Sequence, residues 1–247
     1  MHDALAAARD LVATVSHELR RPVAAIYGAA LTLRRDDVEL EVELHDKLLE
    51  MIAEQSSRLV EIIDNLLIAS QLDTGTLRVA IERCDPREIA TLEIDAARTH
   101  LPATIEVVLR AAGEIPSVAA DPGQLRQVLG NLIENAIKYS PGGGTIDISV
   151  VPVERHVRIA IRDSGLGIPS SEQRRIFEKF YRLDPDVTRG IGGTGLGLYI
   201  CRELVRRVDG RIWVESDGRS GSTFIVEIPQ ESAVPAFVAH RRVTTSV

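Results

Sequence analysis

Apolar residues recur along the first third of the chain in alternating steps of three and four. Val12, Val15, Leu19, Pro22, Ile26, Ala29 and Leu33 mark one stripe, and Leu48, Ile52, Gln55, Leu59, Ile62, Leu66 and Ala69 mark a second. That period is the seam of a coiled-coil-like helix, so the pattern predicts one long helix over residues 3–35 and another that stops at Asp73-Thr74-Gly75. Gly75 suits the left-handed residue that follows a helix end, and the charged stretch 34–41, with Asp36-Asp37, is the turn between the helices. A hairpin of two such helices cannot bury its apolar stripe by itself. A homodimer closing into a four-helix bundle is the expected solution, with a monomeric hairpin docked on the rest of the chain as the alternative.

After Gly75 the pattern turns to mixed α and β. Alternation predicts strands over 76–81, 104–109, 145–151, 156–162, 211–216 and 222–228. Asp85-Pro86 opens a helix to about His100, and Asp121-Pro122 caps a helix over 124–139, in each case with Pro at the first helical position. Helices are also expected over 171–182 and 196–208, with a glycine-bearing loop over 184–194 between them. Beyond Gln230 the pattern dissolves. The expected organisation is a helical hairpin domain over 1–74, an α/β domain over 75–230 and a flexible tail over 231–247.

Composition narrows the picture only modestly. In 247 residues the hydrophobic content is 45% but aromatics are only 4%, so the cores are built from Leu, Ile, Val and Ala. A formal net charge of −7 argues against nucleic acid as a partner. Cys84 and Cys201 have no metal spacing and form no disulfide framework, which fits a reducing, cytoplasmic setting. No apolar run approaches the ~20 residues needed to span a bilayer, and no signal peptide is recognisable. The chain begins inside a helical pattern, as a piece of a longer protein would, so any membrane association is expected only through a missing N-terminal region.

Four stretches carry candidate chemistry. His17 lies two residues past a seam position and points to water, with Glu18 adjacent, Arg20 and Arg21 on the same side, and Pro22 disturbing the helix just beyond. Taken alone this is as much a solvated surface histidine as a functional one. Asn131, Asn135 and Lys138 share one helical face at i, i+4 and i+7. Neutral amide oxygens beside a lysine suit a hydrated Mg²⁺ and the polyphosphate it bridges, though a plain polar face reads the same way. Asp163-Ser164-Gly165-Leu166-Gly167 follows a strand and sets a carboxylate beside two glycines, where an ordinary turn is the alternative. Gly192-Gly193-Thr194-Gly195-Leu196-Gly197-Leu198 opens a helix, where glycine-freed N–H groups form an anion site. It is neither a Walker A sequence nor a dinucleotide fingerprint.

Together these stretches resemble the catalytic core of the sensor histidine kinases of two-component signalling. The resemblance covers nearly all of residues 5–230 and keeps the family's motif order: a histidine box at 16–22, an N box at 131–139, a first glycine box at 163–167, an F box at 176–182 and a second glycine box at 193–198. It implies an α-helical dimerisation hairpin followed by an α/β two-layer sandwich of the GHKL (Bergerat) type. It also implies autophosphorylation from ATP and transfer to an aspartate in the receiver domain of a response regulator. By resemblance His17 is the phosphoacceptor and Glu18 its base. Asn135 ligates Mg²⁺ with Asn131 assisting, Lys138 contacts phosphates and Tyr139 flanks the nucleotide. Asp163 accepts from the adenine amino group in a pocket shaped by Gly165 and Gly167, and Gly193, Thr194, Gly195, Leu196 and Gly197 line the phosphates. By resemblance Gly193, Gly195 and Gly197 form the base of a mobile lid over the phosphates, and Phe177 and Phe180 pack its hinge and help it meet the hairpin.

The resemblance leaves rivals to test. Hydrolytic GHKL ATPases carry a water-activating Glu four residues before the Mg²⁺-binding Asn, where this chain has Asn131; Glu134 sits on a different side of the helix. A scaffold that dimerises without chemistry is the other alternative. One position departs from the family: Arg21 stands where Thr or Asn often orients water for dephosphorylating the regulator, which implies a weak phosphatase.

Overall fold

The computed structural model describes residues 2–35, 41–111, 113–183 and 193–231, with the side chains of the first helix described from Val15 onward. The chain divides into two compact units, Met1–Leu77 with Gly192–Leu196, and Arg78–Ile191 with Gly197–Val247.

The first unit is a pair of long helices, α1 (His2–Leu33) and α2 (Val42–Asp73). Helix α1 runs through Pro22 without interruption. The heptad stripes meet each other: Pro22 and Ala29 are buried on α1, Ile62, Asn65 and Ala69 on α2. A second set of apolar side chains stays in solvent, Val23, Tyr27 and Leu31 on α1 and Val60, Ile63 and Leu67 on α2. Helix α2 ends where the glycine demands, with Gly75 at φ +69°. The connection at 36–40 lies outside the described residues.

In the second unit β1 (Glu82–Cys84) leads into α3 (Pro86–Arg98), then β2 (Ile105–Ala111), β3 (Val118–Ala120) and α4 (Pro122–Lys138). The hairpin of β4 (Gly144–Val153) and β5 (His156–Arg162) follows, then a single 3₁₀ turn at Arg175–Phe177, α5 (Gly197–Arg207), β6 (Arg211–Glu215) and β7 (Thr223–Pro229). The main sheet has the order β2-β4-β5-β7-β6, with β2 and β4 parallel and the other pairs antiparallel, while β1 and β3 form a small separate pair. One face is apolar by strict alternation: Ile146, Ile148 and Val150, then Val157, Ile159 and Ile161, then Phe224, Val226 and Ile228. Register stacks them across strands, Val150 opposite Ile159 and Ile159 opposite Val226. Helix α4 covers this face with Leu125, Val128, Leu129, Leu132, Ile133 and Ala136, and α5 packs beside it with Ile200, Cys201, Leu204 and Val205. The result is the two-layer α/β sandwich expected from the sequence.

Two expected elements are absent. Residues 76–81 form no strand, because their backbone is claimed by side chains: Asp121 Oδ2 accepts from Ala80 N at 2.9 Å and Gln124 Nε2 donates to Arg78 O at 3.1 Å. Residues 171–182 form turns and one 3₁₀ turn in place of a helix, because Glu178 is extended at ψ 149° and Phe180 is left-handed at φ +64°. Strand β3 has no counterpart among the expected elements. The expected loop at 184–192 and the tail at 232–247 lie outside the described residues. Among the described residues no helix is long and apolar enough to cross a membrane.

Candidate functional site

His17 is exposed on α1, as its offset from the seam requires. Glu18 is not exposed beside it. Positions 15, 18 and 22 fall on one helical face, and the structure turns Glu18 into the hairpin with 2% of its surface accessible. There Arg58 Nη2 of α2 stands 3.5 Å from Glu18 Oε2. Arg58 lies on the same stripe as Ile62, Asn65 and Ala69, so a cation meets the one carboxylate buried among the described residues of the hairpin. The sequence reading placed this carboxylate at an open imidazole and overlooked Arg58; only helix pairing reveals it.

The second cluster stands on α4. Asp121 starts the helix, its Oδ1 accepting from Gln124 N at 3.1 Å with Pro122 at the first position. With the apolar face committed to the sheet, the opposite face presents Asn131 and Asn135, both half-buried, and the exposed Lys138. Asn131 Nδ2 is buried without a hydrogen-bond partner. A Cβ at Gly197, the first residue of α5, would lie 3.7 Å from the Asn131 carboxamide, in ordinary contact and without left-handed backbone. Nothing among the described residues requires glycine there; the missing side chain leaves space beside Asn131. These are the features of a site for a polar ligand that approaches backbone closely. Glu134 is engaged elsewhere, bonded through Oε1 to His100 Nε2 at 2.7 Å on the exposed side.

Asp163 follows β5 and is buried, with 4% of its surface accessible. Its Oδ1 accepts from Gly165 N at 2.8 Å and Ser222 N at 3.1 Å. Burial holds its pKa above the usual carboxylate value, and those N–H donors oppose the rise. Both of these donors reach Oδ1. Gly165 is sterically obligatory: a Cβ would strike Tyr139 O at 2.1 Å. That carbonyl, at the C-cap of α4, accepts from Leu166 N at 3.1 Å, which ties Tyr139 to the glycine loop. Lys138 Nζ lies 5.5 Å from the Tyr139 ring centroid. Gly167 has φ +72°, and a Cβ there would meet Arg219 N at 2.5 Å. Asn131, Asn135, Lys138, Tyr139, Asp163, Gly165 and Gly167 thus stand on α4 and the loop it touches. The contribution of 216–222 escaped the sequence reading; its sequence signals are the Asp217-Gly218 turn and the glycine before Ser222.

In the second glycine stretch Gly195 has φ +68°, Thr194 Oγ1 accepts from Leu196 N at 3.3 Å, and α5 begins at Gly197. Phe177 is buried and meets Phe224 edge to face at 6.4 Å, so it is a core residue of the α/β unit; Phe180 is half-buried. Burial pushes the thiols of Cys84 and Cys201 up to about 11 and about 12, which suits inert core residues. No cluster of His, Cys, Asp and Glu among the described residues could hold a metal ion. Mg²⁺ held by neutral amides, water and phosphate would leave no such cluster.

Comparison with known proteins matches two family models: the His Kinase A (phospho-acceptor) domain over residues 7–75, and the histidine kinase-, DNA gyrase B-, and HSP90-like ATPase over 120–232. The circadian input-output histidine kinase CikA of Synechococcus elongatus is 34% identical over 93% of this chain and 31% of its own length. The chain spans about a third of the first curated relatives, 31% and 36%. Among solved structures, full-length ShkA in complex with AMPPNP has TM-score 0.65 and 25% identity, over 90% of this chain and 46% of ShkA. The catalytic domain of histidine kinase ThkA has TM-score 0.50 and 30% identity, over 61% of this chain and 95% of that domain.

Proposed function

The chain belongs to the sensor histidine kinases, and from that membership we propose that it transfers the γ-phosphoryl group of ATP to its own His17 and from there to an aspartate of a response regulator. The observation that carries this reading is the polar face of α4, where the unpartnered Asn131 Nδ2 borders the space left by Gly197. The AMPPNP complex of ShkA supports ATP as the nucleotide.

Asp163 Oδ2 accepts from the adenine amino group while Gly165 and Gly167 hold the pocket walls back. Tyr139 flanks the nucleotide and Lys138 meets its phosphates. Gly193, Thr194, Gly195, Leu196 and Gly197 supply backbone N–H groups on the phosphate side. Asn135, with Asn131 assisting, would hold Mg²⁺, which when bound neutralises phosphate charge. A ring nitrogen of His17 attacks the γ-phosphorus in line as the bond to the β,γ-bridging oxygen breaks and ADP leaves, and Glu18 takes the proton from the other nitrogen once it turns away from Arg58. The hairpin functions as a homodimer. The solvent-facing Val23, Tyr27, Leu31, Val60, Ile63 and Leu67 support a second copy as the cover. The receiver domain of the regulator docks beside His17. Dependence on ATP and two free thiols support a cytoplasmic setting for this stretch.

A hydrolytic ATPase fits less well, since Glu134 is bonded to His100. The test is incubation with γ-labelled ATP and Mg²⁺ beside the His17→Gln variant. Acid-labile, base-stable label that vanishes in the variant is expected. Steady phosphate release unaffected by the substitution, or bound ATP without label, overturns the proposal.

A further inference from the structure

The loop after β5 is half of a two-loop structure. Its partner is the β6–β7 connection, residues 216–222, and the two approach so closely that glycine is needed on both sides. A Cβ on Gly221, which has φ +98°, would strike Asp163 O at 2.1 Å, as one on Gly167 would strike Arg219 N. At one end of the contact Asp163 N donates to Ser222 O at 2.9 Å and Ser222 N donates to Asp163 Oδ1 at 3.1 Å. At the other end Ser216 Oγ accepts from Ile168 N at 2.9 Å.

The Ser216 hydroxyl is saturated. It also accepts from Gly218 N at 3.1 Å and donates to Gly221 O at 2.6 Å, so its one donor and both lone pairs are used. The carbonyl of Gly221 and the N–H of Ser222 belong to one peptide group. A continuous chain therefore runs from the Ser216 hydroxyl through that peptide to Asp163 Oδ1, and hydrogen bonds in such chains strengthen one another. Gln173 buttresses the same corner, its Nε2 donating to Ile168 O at 3.1 Å and Ser216 O at 2.8 Å.

We infer that Ser216, supported by Gln173, is a positioning residue for recognition of the purine base: it fixes the Gly221–Ser222 peptide that orients the Asp163 carboxylate. The inference rests on the assignment of Asp163 to the adenine amino group. Without the hydroxyl, the Gly221 carbonyl loses its donor, the peptide is held only from the Ser222 side, and the β5 loop loses its far anchor. Asp163 then remains in place but no longer holds one angle toward position 6 of the purine. The consequence is a loss of base discrimination, which a purely structural hydroxyl would not produce.

The test measures dissociation constants of ATP and GTP by calorimetry for the whole chain and for Ser216→Ala, Ser216→Thr and Gln173→Leu. GTP has an oxygen where ATP has the amino group. Ser216→Ala is expected to weaken ATP about tenfold with little change for GTP, the equivalent of about one hydrogen bond to the base. Ser216→Thr, which keeps the hydroxyl, restores most of the affinity, and Gln173→Leu weakens ATP about threefold. Gln173→Leu carries the test by itself if Ser216→Ala does not fold. A lowered melting temperature with an unchanged ATP/GTP ratio overturns the inference while leaving the nucleotide site intact. Failure of the unaltered chain to prefer ATP over GTP overturns the Asp163 assignment, and the inference falls with it.

Discussion

Gly165 and Gly197 both belong to glycine motifs, yet the structure assigns them opposite reasons for being glycine, and alanine at each position separates the two. At Gly165 an added Cβ lies 2.1 Å from Tyr139 O, 2.8 Å from Tyr139 C and 3.0 Å from Asp163 Oδ1. A carbon and an oxygen need more than 3 Å, so one backbone segment must retreat by about 1 Å, and overpacking of this kind costs ~1–3 kcal/mol. The retreat also loosens the bonds from Leu166 N to Tyr139 O and from Gly165 N to Asp163 Oδ1, each worth about 1 kcal/mol. The sum, about 3–5 kcal/mol, lowers the melting temperature of the α/β unit by roughly 6–20 °C. At Gly197 the Cβ makes only ordinary contact at 3.7 Å, and alanine is the better helix former by at most about 1 kcal/mol. Gly197→Ala is therefore expected to melt at or slightly above the temperature of the unaltered chain, yet bind ATP at least tenfold more weakly, because the methyl group occupies space meant for the nucleotide. Scanning calorimetry and titration calorimetry on the two variants check both halves. Wild-type melting of Gly165→Ala would refute the steric reasoning, and wild-type ATP affinity of Gly197→Ala would refute the placement of phosphate beside Asn131.

Other outcomes follow from the same structure. Glu18→Gln lowers the initial rate of His17 phosphorylation by about 10²-fold or more with unchanged ATP affinity, the signature of a lost base, measured by labelling time courses. Arg58→Ala leaves the buried Glu18 without its cation and destabilises the hairpin by about 1 kcal/mol, the figure discounted because Arg58 is 41% exposed; helical melting reads it. Asp163 has a raised pKa in the folded state, so it releases its proton at higher pH than in the unfolded chain. Stability therefore declines as pH rises from the unfolded to the folded pKa, while ATP, which needs the carboxylate, dissociates as pH falls through the folded value. Asp163→Asn abolishes that acid limb, as titrations across pH would show. Arg21→Thr raises dephosphorylation of the phosphorylated regulator in the presence of ADP, and an unchanged rate would count against a role for Arg21 in weak phosphatase activity.

Local chemistry determined much of this protein from sequence alone. The three-four spacing laid out α1 and α2, Gly75 ended α2, and Asp85-Pro86 and Asp121-Pro122 opened α3 and α4, because caps and helical periodicity act within a few residues. Alternation gave the inward faces of β4, β5 and β7 for the same reason. The face shared by Asn131, Asn135 and Lys138 follows from helix geometry once α4 is placed. Tertiary structure decided whatever depended on partners distant in sequence. Residues 76–81 alternate like a strand, but the side chains of Asp121 and Gln124 occupy their backbone groups. A helix is expected at 171–182, whereas Phe177 is drawn into the core against Phe224 and Phe180 turns left-handed. Glu18 looked like a surface carboxylate until α2 brought Arg58 opposite it. Asp163 owes its orientation to Ser222 N, 59 residues away, and to the peptide that Ser216 holds. Periodicity and caps are read over one or two turns of chain, but the burial of a carboxylate and the hydrogen bonds that aim it exist only after distant backbone segments have met.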